Sequence, residues 1–238
     1  MKNVFLATEW RKLIMINYEV QAKSLLKYLP KGTELDSWNG KYFVSVVGFK
    51  FVNTRVKGIK FPFHVNFEQV NLRFYVKRKV NNEVRHGVVF IKEIIDKPIV
   101  KLIAKALYKE NYVTMPMKHD WNISKENTSI SYQWKTKEQW NTISIDTTNK
   151  LSSSKAGSEE RFIAEHYWGY IQVTPNKSYE FRVEHPEWEM YALNNYKIDI
   201  DFKSVYGNDF KQLQIQQPSS VFLVEGSEVL LGDKKMIT

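Results

Sequence analysis

Three stretches of the sequence combine His, Glu or Arg side chains with aromatic residues. They are residues 62–73 (PFHVNFEQVNLR), 165–170 (EHYWGY) and 183–188 (VEHPEW). Because ligand pockets usually join apolar walls to a few polar groups, the three stretches together favour one shared polar pocket. Considered one at a time, these residues are better explained by ordinary packing of aromatic side chains whose polar ends make hydrogen bonds within the protein.

The chemistry that these side chains offer is ligand binding and proton transfer. Glu68 and His166 are candidate general acids or bases, a role that requires a tuned pKa. The other polar and aromatic side chains of the three stretches are candidates for binding a ligand. They are His64, Arg73, Tyr167, Trp168 and His185.

Arg73 belongs to the clearest strand pattern, residues 68–79, in which apolar and polar side chains alternate between two faces. It shares the less apolar face with Asn71 and Tyr75. If that face lines the interior of a barrel, Arg73 is a buried cation that needs an anionic partner or ligand. If the face meets solvent, Arg73 is an ordinary surface arginine, and the pattern leaves both interpretations open.

The usual signatures of catalysis are absent from the sequence. There is no Gly-x-Ser-x-Gly elbow, no glycine-rich phosphate loop and no His-Glu-x-x-His motif. The chain has no cysteine, which excludes a disulfide scaffold, a Cys-ligated zinc site, an iron–sulfur cluster and a thiol nucleophile. The five histidines are far apart, and the pair His119-Asp120 is weak evidence for a metal. The sequence therefore predicts neither a metal site nor a cofactor.

The charge balance raises an alternative function. The 35 Lys and Arg residues against 26 Asp and Glu residues give a net charge of +9, which would attract anionic molecules. The positive residues are scattered, however, and the densest run is only Lys77-Arg78-Lys79 at a hairpin end. No zinc-finger, RNP-like or basic-zipper pattern appears, which argues against nucleic acid. The alternative is a non-enzymatic protein that binds nucleic acid or another anionic partner through its basic surface, including a lysine ridge on residues 97–109.

Strand patterns dominate the elements that must position these residues. Strands are predicted over residues 10–18, 41–52, 68–79, 84–95, 129–134, 141–145, 170–174, 179–184 and 220–231, and helices over 21–28, 98–109 and 159–165. Residues 149–157 are predicted to form a loop. With about ten strands and a few helices in a single domain, residues 1–238, the fold class is mainly β (α+β), a large antiparallel sheet or barrel with covering helices.

The location expected from the sequence is the cytoplasm. The N-terminal apolar stretch is interrupted by Glu9 and Arg11, and is too short for a signal peptide. No stretch approaches the roughly 20 apolar residues of a membrane-spanning helix, so no membrane partner is expected.

Motifs along nearly the whole chain resemble the YqjF-like family, also called the DUF2071 family. These motifs are Glu9-Trp10-Arg11, residues 28–35 (YLPKGTEL), 47–49 (VGF), 68–75 and 157–170, with the final Glu-His-Pro-x-Trp at 184–188. That family has no settled activity and is similar in turn to acetoacetate decarboxylase. The second resemblance implies a cone-like antiparallel β-barrel, and makes Arg11 a further ligand-binding candidate.

The resemblance to the decarboxylase fails at the residue that performs its chemistry. That enzyme forms a Schiff base on a lysine whose pKa is lowered by a second lysine beside it. In the corresponding region, residues 108–118 (YKENYVTMPMK), the lysine pair is missing. Lys118 is a poor match to the nucleophile, but it remains the candidate catalytic lysine of a less favoured Schiff-base alternative. The pair Lys234-Lys235 lies at a C-terminus that is expected to fray. We therefore predict a barrel that binds a small anionic organic molecule and, if it is an enzyme, does not use the Schiff-base route.

Overall fold

The computed structural model describes residues 4–98 and 112–238. The strands in these ranges are β1 (Val4–Val20), β2 (Glu34–Leu35), β3 (Tyr42–Val56), β4 (Phe67–Val80), β5 (Glu83–Ile95), β6 (Tyr112–Thr114), β7 (Met117–Ile123), β8 (Asn127–Lys135), β9 (Trp140–Ser153), β10 (Trp168–Thr174), β11 (Lys177–Glu184), β12 (Glu189–Asp199), β13 (Ser220–Gly232) and β14 (Lys235–Ile237). The α-helices are α1 (Ala22–Leu25), α2 (Glu159–Ala164) and α3 (Phe202–Tyr206), and 3-10 turns cover Leu26–Tyr28 and Asn208–Gln214.

The helix predicted over residues 98–109, with most of its lysine ridge, falls outside the described ranges. No helix within those ranges is long and apolar enough to cross a membrane.

Seven strands close into a ring. The neighbours run β11-β10-β5-β4-β3-β1-β13, and β11 pairs again with β13 to complete the circle. All these pairings are antiparallel except β5 with β10, which is parallel over two residue pairs. A mainly β, largely antiparallel barrel is thereby confirmed.

A second layer of strands covers one side of the ring. The sheet continues from β13 through β12, β9, β8 and β7. Side chains of β8 and β9 pack with the outer side chains of β1, β3 and β4 in one apolar core. Gly48 on β3 makes this contact possible, because a Cβ there would lie 2.6 Å from Cδ1 of Ile143.

Strand β4 divides its side chains between two cores. Val70, Leu72 and Phe74 point outward into the core under the second layer. Arg73 points into the ring with its neighbours on the same face, and is 6% exposed. In the pairing with β5, Leu72 lies opposite Lys92 and Arg73 lies opposite Phe90, so β5 carries one extra residue at this point. Such bulges bend a strand and redirect its side chains.

Three predictions of local structure are wrong. Strand β9 runs on to Ser153 through part of the predicted loop, because β12 pairs with it there. Strand β12 itself was not predicted, since most of its side chains are exposed and no apolar alternation marks it. The C-terminus is paired and not frayed: β14 pairs with β11, and Ile237 is buried.

Candidate functional site

A cavity of about 120 Å³ lies inside the ring, and all seven ring strands contribute to its wall. A single water molecule needs only about 10–15 Å³ of such space, so there is room for a small organic molecule. Much of the wall is aromatic, including Trp10, Phe49, Phe51, Phe67, Phe90 and Trp188. Several polar side chains interrupt this apolar wall: Gln69, Asn71, Arg73, Glu93, His166 and His185.

Arg73 is the cation of this cavity. Its Nη2 donates a hydrogen bond to the carbonyl oxygen of Ile163, at 3.2 Å, and the guanidinium lies over the ring of Tyr75 at 5.6 Å. Among residues 4–98 and 112–238, no carboxylate forms an ion pair with it. A buried charge without a counter-ion is costly, so this arrangement favours an anionic occupant.

Buried polar atoms without hydrogen bonds gather at the same cavity. Within the described ranges, Nε of Arg73, Nε1 of Trp10, Oε1 of Gln69 and Oδ1 of Asn71 have no hydrogen-bond partner. Since buried polar groups in folded proteins are nearly always paired, donors and acceptors of this kind suit a ligand that carries polar atoms.

Two histidines of the cavity are held neutral. Burial lowers the pKa of His166 to about 4, and the nearby carboxylate of Asp36 opposes this shift only in part. Burial also lowers the pKa of His185 to about 4, helped by the positive charge of Arg73. Nδ1 of His185 donates to the carbonyl oxygen of Pro186 at 2.8 Å, which leaves Nε2 as an acceptor.

The lowered pKa of His185 predicts a loss of stability in acid. The usual pKa of histidine is about 6.5, so the unfolded chain binds the extra proton first as the pH falls. Stability should therefore fall from pH 6.5 down to pH 4, by up to a few kcal/mol for this group. His185→Phe, which keeps the stacking on Trp188, should reduce that fall.

Urea unfolding of the wild type and of His185→Phe at neutral pH and near pH 4.5 measures this effect. His64→Gln, which removes a partly exposed imidazole, is the control. Equal acid losses in the wild type and His185→Phe would show that His185 does not carry the effect.

Two of the predicted catalytic residues and one predicted ligand-binding residue lie away from the cavity. Glu68 faces the second layer, where its Oε1 lies 2.5 Å from Nδ1 of His119. Lys118 on β7 is exposed and lies over the ring of Trp140. Arg11 forms an ion pair with Glu9 at 2.6 Å and also donates to a backbone carbonyl.

The remaining predicted ligand-binding residues, except Trp168, lie in the cavity wall or just behind it. His64 belongs to the wall, on the loop between β3 and β4. Tyr167 contacts the ring of His185, with centroids 4.8 Å apart, and so supports the wall from behind. Trp168 packs under the guanidinium of Arg85 at 4.2 Å, outside the cavity. The structure thus brings together His64, Arg73, His166 and His185 from all three stretches.

The densest basic run lies beside carboxylates. Arg78 forms an ion pair with Glu180 at 2.9 Å, and Lys77 lies 3.6 Å from Asp36. Lys79 lies 4.0 Å from Glu34. These pairs neutralise part of the charge on which the anionic-partner alternative depends.

Sequence reasoning missed several residues of this site. Gln69 and Asn71 share the inward face of β4 with Arg73, so strand alternation alone could have identified them. Glu93, which accepts a hydrogen bond from Gln69 at 2.9 Å, lies on β5 in a segment without clear alternation. Asp36 and His86 were also missed; they lie next to His166, and no spacing in the sequence connects the three.

Comparison with known proteins places the chain in a family. Residues 7–228 match the model of DUF2071, described as an uncharacterized conserved protein. The chain belongs to the DUF2071 family. YqjF of Bacillus subtilis (strain 168), an uncharacterized protein, is 24% identical over 200 residues, which cover 82% of this chain and 78% of that protein.

Solved structures show the same fold for this DUF2071 protein. The enduracididine biosynthesis enzyme MppR, complexed with pyruvate, superposes with a TM-score of 0.69 at 10% identity, covering 98% of this chain and 90% of the other. Acetoacetate decarboxylase from Legionella pneumophila gives 0.65 at 11% identity, covering 98% and 87%. An acetoacetate decarboxylase-like enzyme from Sphingomonas wittichii gives 0.65 at 10%, covering 98% and 92%. The acetoacetate decarboxylase-like fold implied by the sequence motifs is confirmed.

Proposed function

We propose that the cavity binds a small monocarboxylate that carries an apolar tail. The observation that supports this is Arg73, a buried guanidinium at the cavity wall that forms no ion pair with any described residue. A carboxylate is the natural partner, because it accepts two parallel hydrogen bonds from a guanidinium and neutralises its charge. Nε makes no hydrogen bond to a described residue and is available for this contact. Nη2 donates to the carbonyl oxygen of Ile163 at 3.2 Å and weakly to Sδ of Met15 at 3.9 Å, and a carboxylate would compete with the sulfur for that second N–H.

The wall of the cavity favours an apolar body for the ligand. Phe51 stacks on Phe67 with centroids 4.4 Å apart, and Trp10 packs on Phe49 at 5.2 Å. Apolar surface removed from water by such walls contributes roughly 25 cal/mol per Å². A short, fully hydrophilic acid would leave this surface uncovered, and would bind mainly through its carboxylate.

The fold neighbours support the carboxylate class. The structure of MppR holds pyruvate, an α-keto acid, in a protein of the same fold. Acetoacetate decarboxylase, by its name, acts on a β-keto acid. At identities of 10–11% these proteins share only the fold with this chain, so Arg73 and the aromatic wall carry the proposal.

The test is thermal unfolding with a graded set of acids: acetate, pyruvate, octanoate and 3-phenylpropionate, with 3-phenylpropanamide as the uncharged analogue. A true ligand stabilises the protein by RT ln(1 + [L]/Kd). We expect the largest stabilisation from octanoate or 3-phenylpropionate, less from the two short acids, and almost none from the amide. If no carboxylate stabilises the protein at millimolar concentration, or the amide equals the acid, the proposal fails.

Lys118 is expected to play no part in binding or in covalent chemistry. It lies on the second layer with its Nζ 4.5 Å from the Trp140 ring centroid, outside the cavity wall. Lys118→Ala should therefore bind 3-phenylpropionate with unchanged affinity. Borohydride reduction in the presence of pyruvate or acetoacetate should leave Lys118 unmodified when peptides are mapped by mass spectrometry. A ligand-dependent adduct on Lys118 would contradict this placement.

A further inference from the structure

Three side chains from separate parts of the chain converge at the edge of the cavity, and one of them, His166, belongs to its wall. Asp36 follows β2, His86 lies on β5 and His166 follows α2. Each offers one ligand atom, and the three atoms lie within 4.8 Å of one another. We propose that Asp36, His86 and His166 form a binding site for a divalent transition-metal ion of the zinc type.

The donor set suits such an ion. Two imidazole nitrogens and one carboxylate oxygen are a common ligand set for zinc and its first-row neighbours. Oδ2 of Asp36 lies 2.5 Å from Nδ1 of His86 and 3.7 Å from Nε2 of His166. Ligand atoms at about 2.0–2.1 Å from a tetrahedral zinc ion lie roughly 3.3 Å apart, so changes of at most about 1.5 Å in the three separations would complete the site.

His166 supplies an independent observation. It is 7% exposed, and neither of its ring nitrogens makes a hydrogen bond to a residue in the described ranges. A buried imidazole with both nitrogens unpaired is rare, because each unmet group loses its hydration without compensation. A metal ion would give one of these nitrogens its partner.

The surroundings hold the donors in place and leave an entry path. The backbone N–H of Asp36 donates to the carbonyl oxygen of Tyr75 at 3.0 Å, which fixes Asp36 against β4. Oδ1 of the carboxylate faces Lys77 and the backbone N–H of Ser37, so Oδ2 is the atom directed at the two histidines. Contacts of this kind orient metal ligands in many proteins. The side chain of His86 is half exposed, so an ion can reach the site from solvent.

The molecule also contains a matched control. His119 approaches Glu68 at 2.5 Å, the same distance as His86 to Asp36, and its other nitrogen lies 2.9 Å from Nζ of Lys50. In this second His–carboxylate pair, the ammonium group of Lys50 lies where the proposed metal site has a second imidazole. It should therefore not bind a divalent cation.

The experiment is titration of the metal-free full-length protein with zinc chloride by calorimetry, without any organic acid present. We expect one ion per chain with a micromolar or lower Kd. Because loss of an outer-shell partner alone typically costs 10–100-fold in affinity, His86→Gln should weaken zinc binding by at least about tenfold. His119→Gln should leave the affinity unchanged. Nδ1 of His86 lies at hydrogen-bond distance, 2.5 Å, from the buried carboxylate of Asp36, and the amide of Gln can replace that donor. The metal-free His86→Gln variant should therefore keep the unfolding midpoint of the wild type, and His166→Gln is the second variant if it does not.

The proposal is overturned if the wild type binds no zinc below the millimolar range. It is also overturned if His86→Gln, or its substitute His166→Gln, binds zinc as the wild type does. Equal losses of zinc affinity in His86→Gln and His119→Gln would show that zinc binds histidines non-specifically, and would also overturn the proposal. None of these results depends on the carboxylate ligand of the cavity, because zinc alone is the probe.

Discussion

Replacing Arg73 with methionine is expected to weaken carboxylate binding strongly and, at the same time, to make the ligand-free protein more stable. Loss of one partner of a buried charge pair costs about 2–5 kcal/mol, so affinity for 3-phenylpropionate should fall by roughly 100-fold. The ligand-free protein responds in the opposite direction. In the wild type Arg73 is a buried cation that forms no ion pair with a described residue. Replacing buried charged groups by apolar side chains of similar size can stabilise a protein by about 1–4 kcal/mol, and we expect a gain within that range.

These opposite signs separate a binding role of Arg73 from a structural one. If Arg73 mainly held the barrel together, Arg73→Met would lower both stability and binding. Calorimetry with 3-phenylpropionate and urea unfolding without ligand measure the two quantities. Arg55→Gln is the control, since Arg55 is exposed on β3 and the substitution also removes one positive charge. We expect the control to change neither quantity by more than a few tenths of a kcal/mol.

The largest loss of stability is expected from Gly226→Ala. Gly226 bends β13 with a φ of +82°, and a Cβ there would lie 1.9 Å from the carbonyl oxygen of Trp10. A backbone atom cannot rotate away as a side chain can, so the strands β1 and β13 must separate at this point. We expect a loss of about 3–5 kcal/mol, among the largest that a single substitution produces. The cavity should suffer as well, because Trp10 belongs to its wall.

Gly40→Ala is the matched control for this substitution. Gly40 has a similar φ of +77°, but a Cβ added there would meet no atom within 4 Å. The Gly40→Ala variant should therefore lose only about 1–2 kcal/mol of stability, from the strain of a positive φ at an alanine. Urea unfolding of both variants compares the two sites. Equal losses would show that positive φ accounts for the whole effect and that the contact between β1 and β13 adds nothing.

The sequence predicted the inward position of Arg73 as one of two alternatives, and the ring decides between them. Alternation along β4 separated Arg73 and Asn71 from Leu72 and Phe74 correctly. It could not say which face was enclosed, because that depends on the pairing of β11 with β13, which are far apart in sequence. Once the ring closes, the face of Arg73 lines the cavity.

Glu68 and Asp36 illustrate two limits of sequence reasoning. Glu68 precedes Gln69 on the same strand, and the period of two sends its side chain to the opposite face, against His119. Glu68 is a candidate because of the polar and aromatic stretch in which it lies, and not because of its position in the alternation. Asp36 belongs to a short segment without periodicity, and only the fold brings it to His86 and His166.

The central claim, that a ligand carboxylate pairs with Arg73, is most directly tested by NMR of the arginine side chains. The Nε–H of Arg73, which makes no hydrogen bond to a described residue, should give a resonance that is absent from Arg73→Met. Titration with 3-phenylpropionate should shift that resonance and saturate at the Kd found by calorimetry, while 3-phenylpropanamide should not move it. If the acid binds and the Arg73 resonance stays in place, the carboxylate lies elsewhere and the account is contradicted.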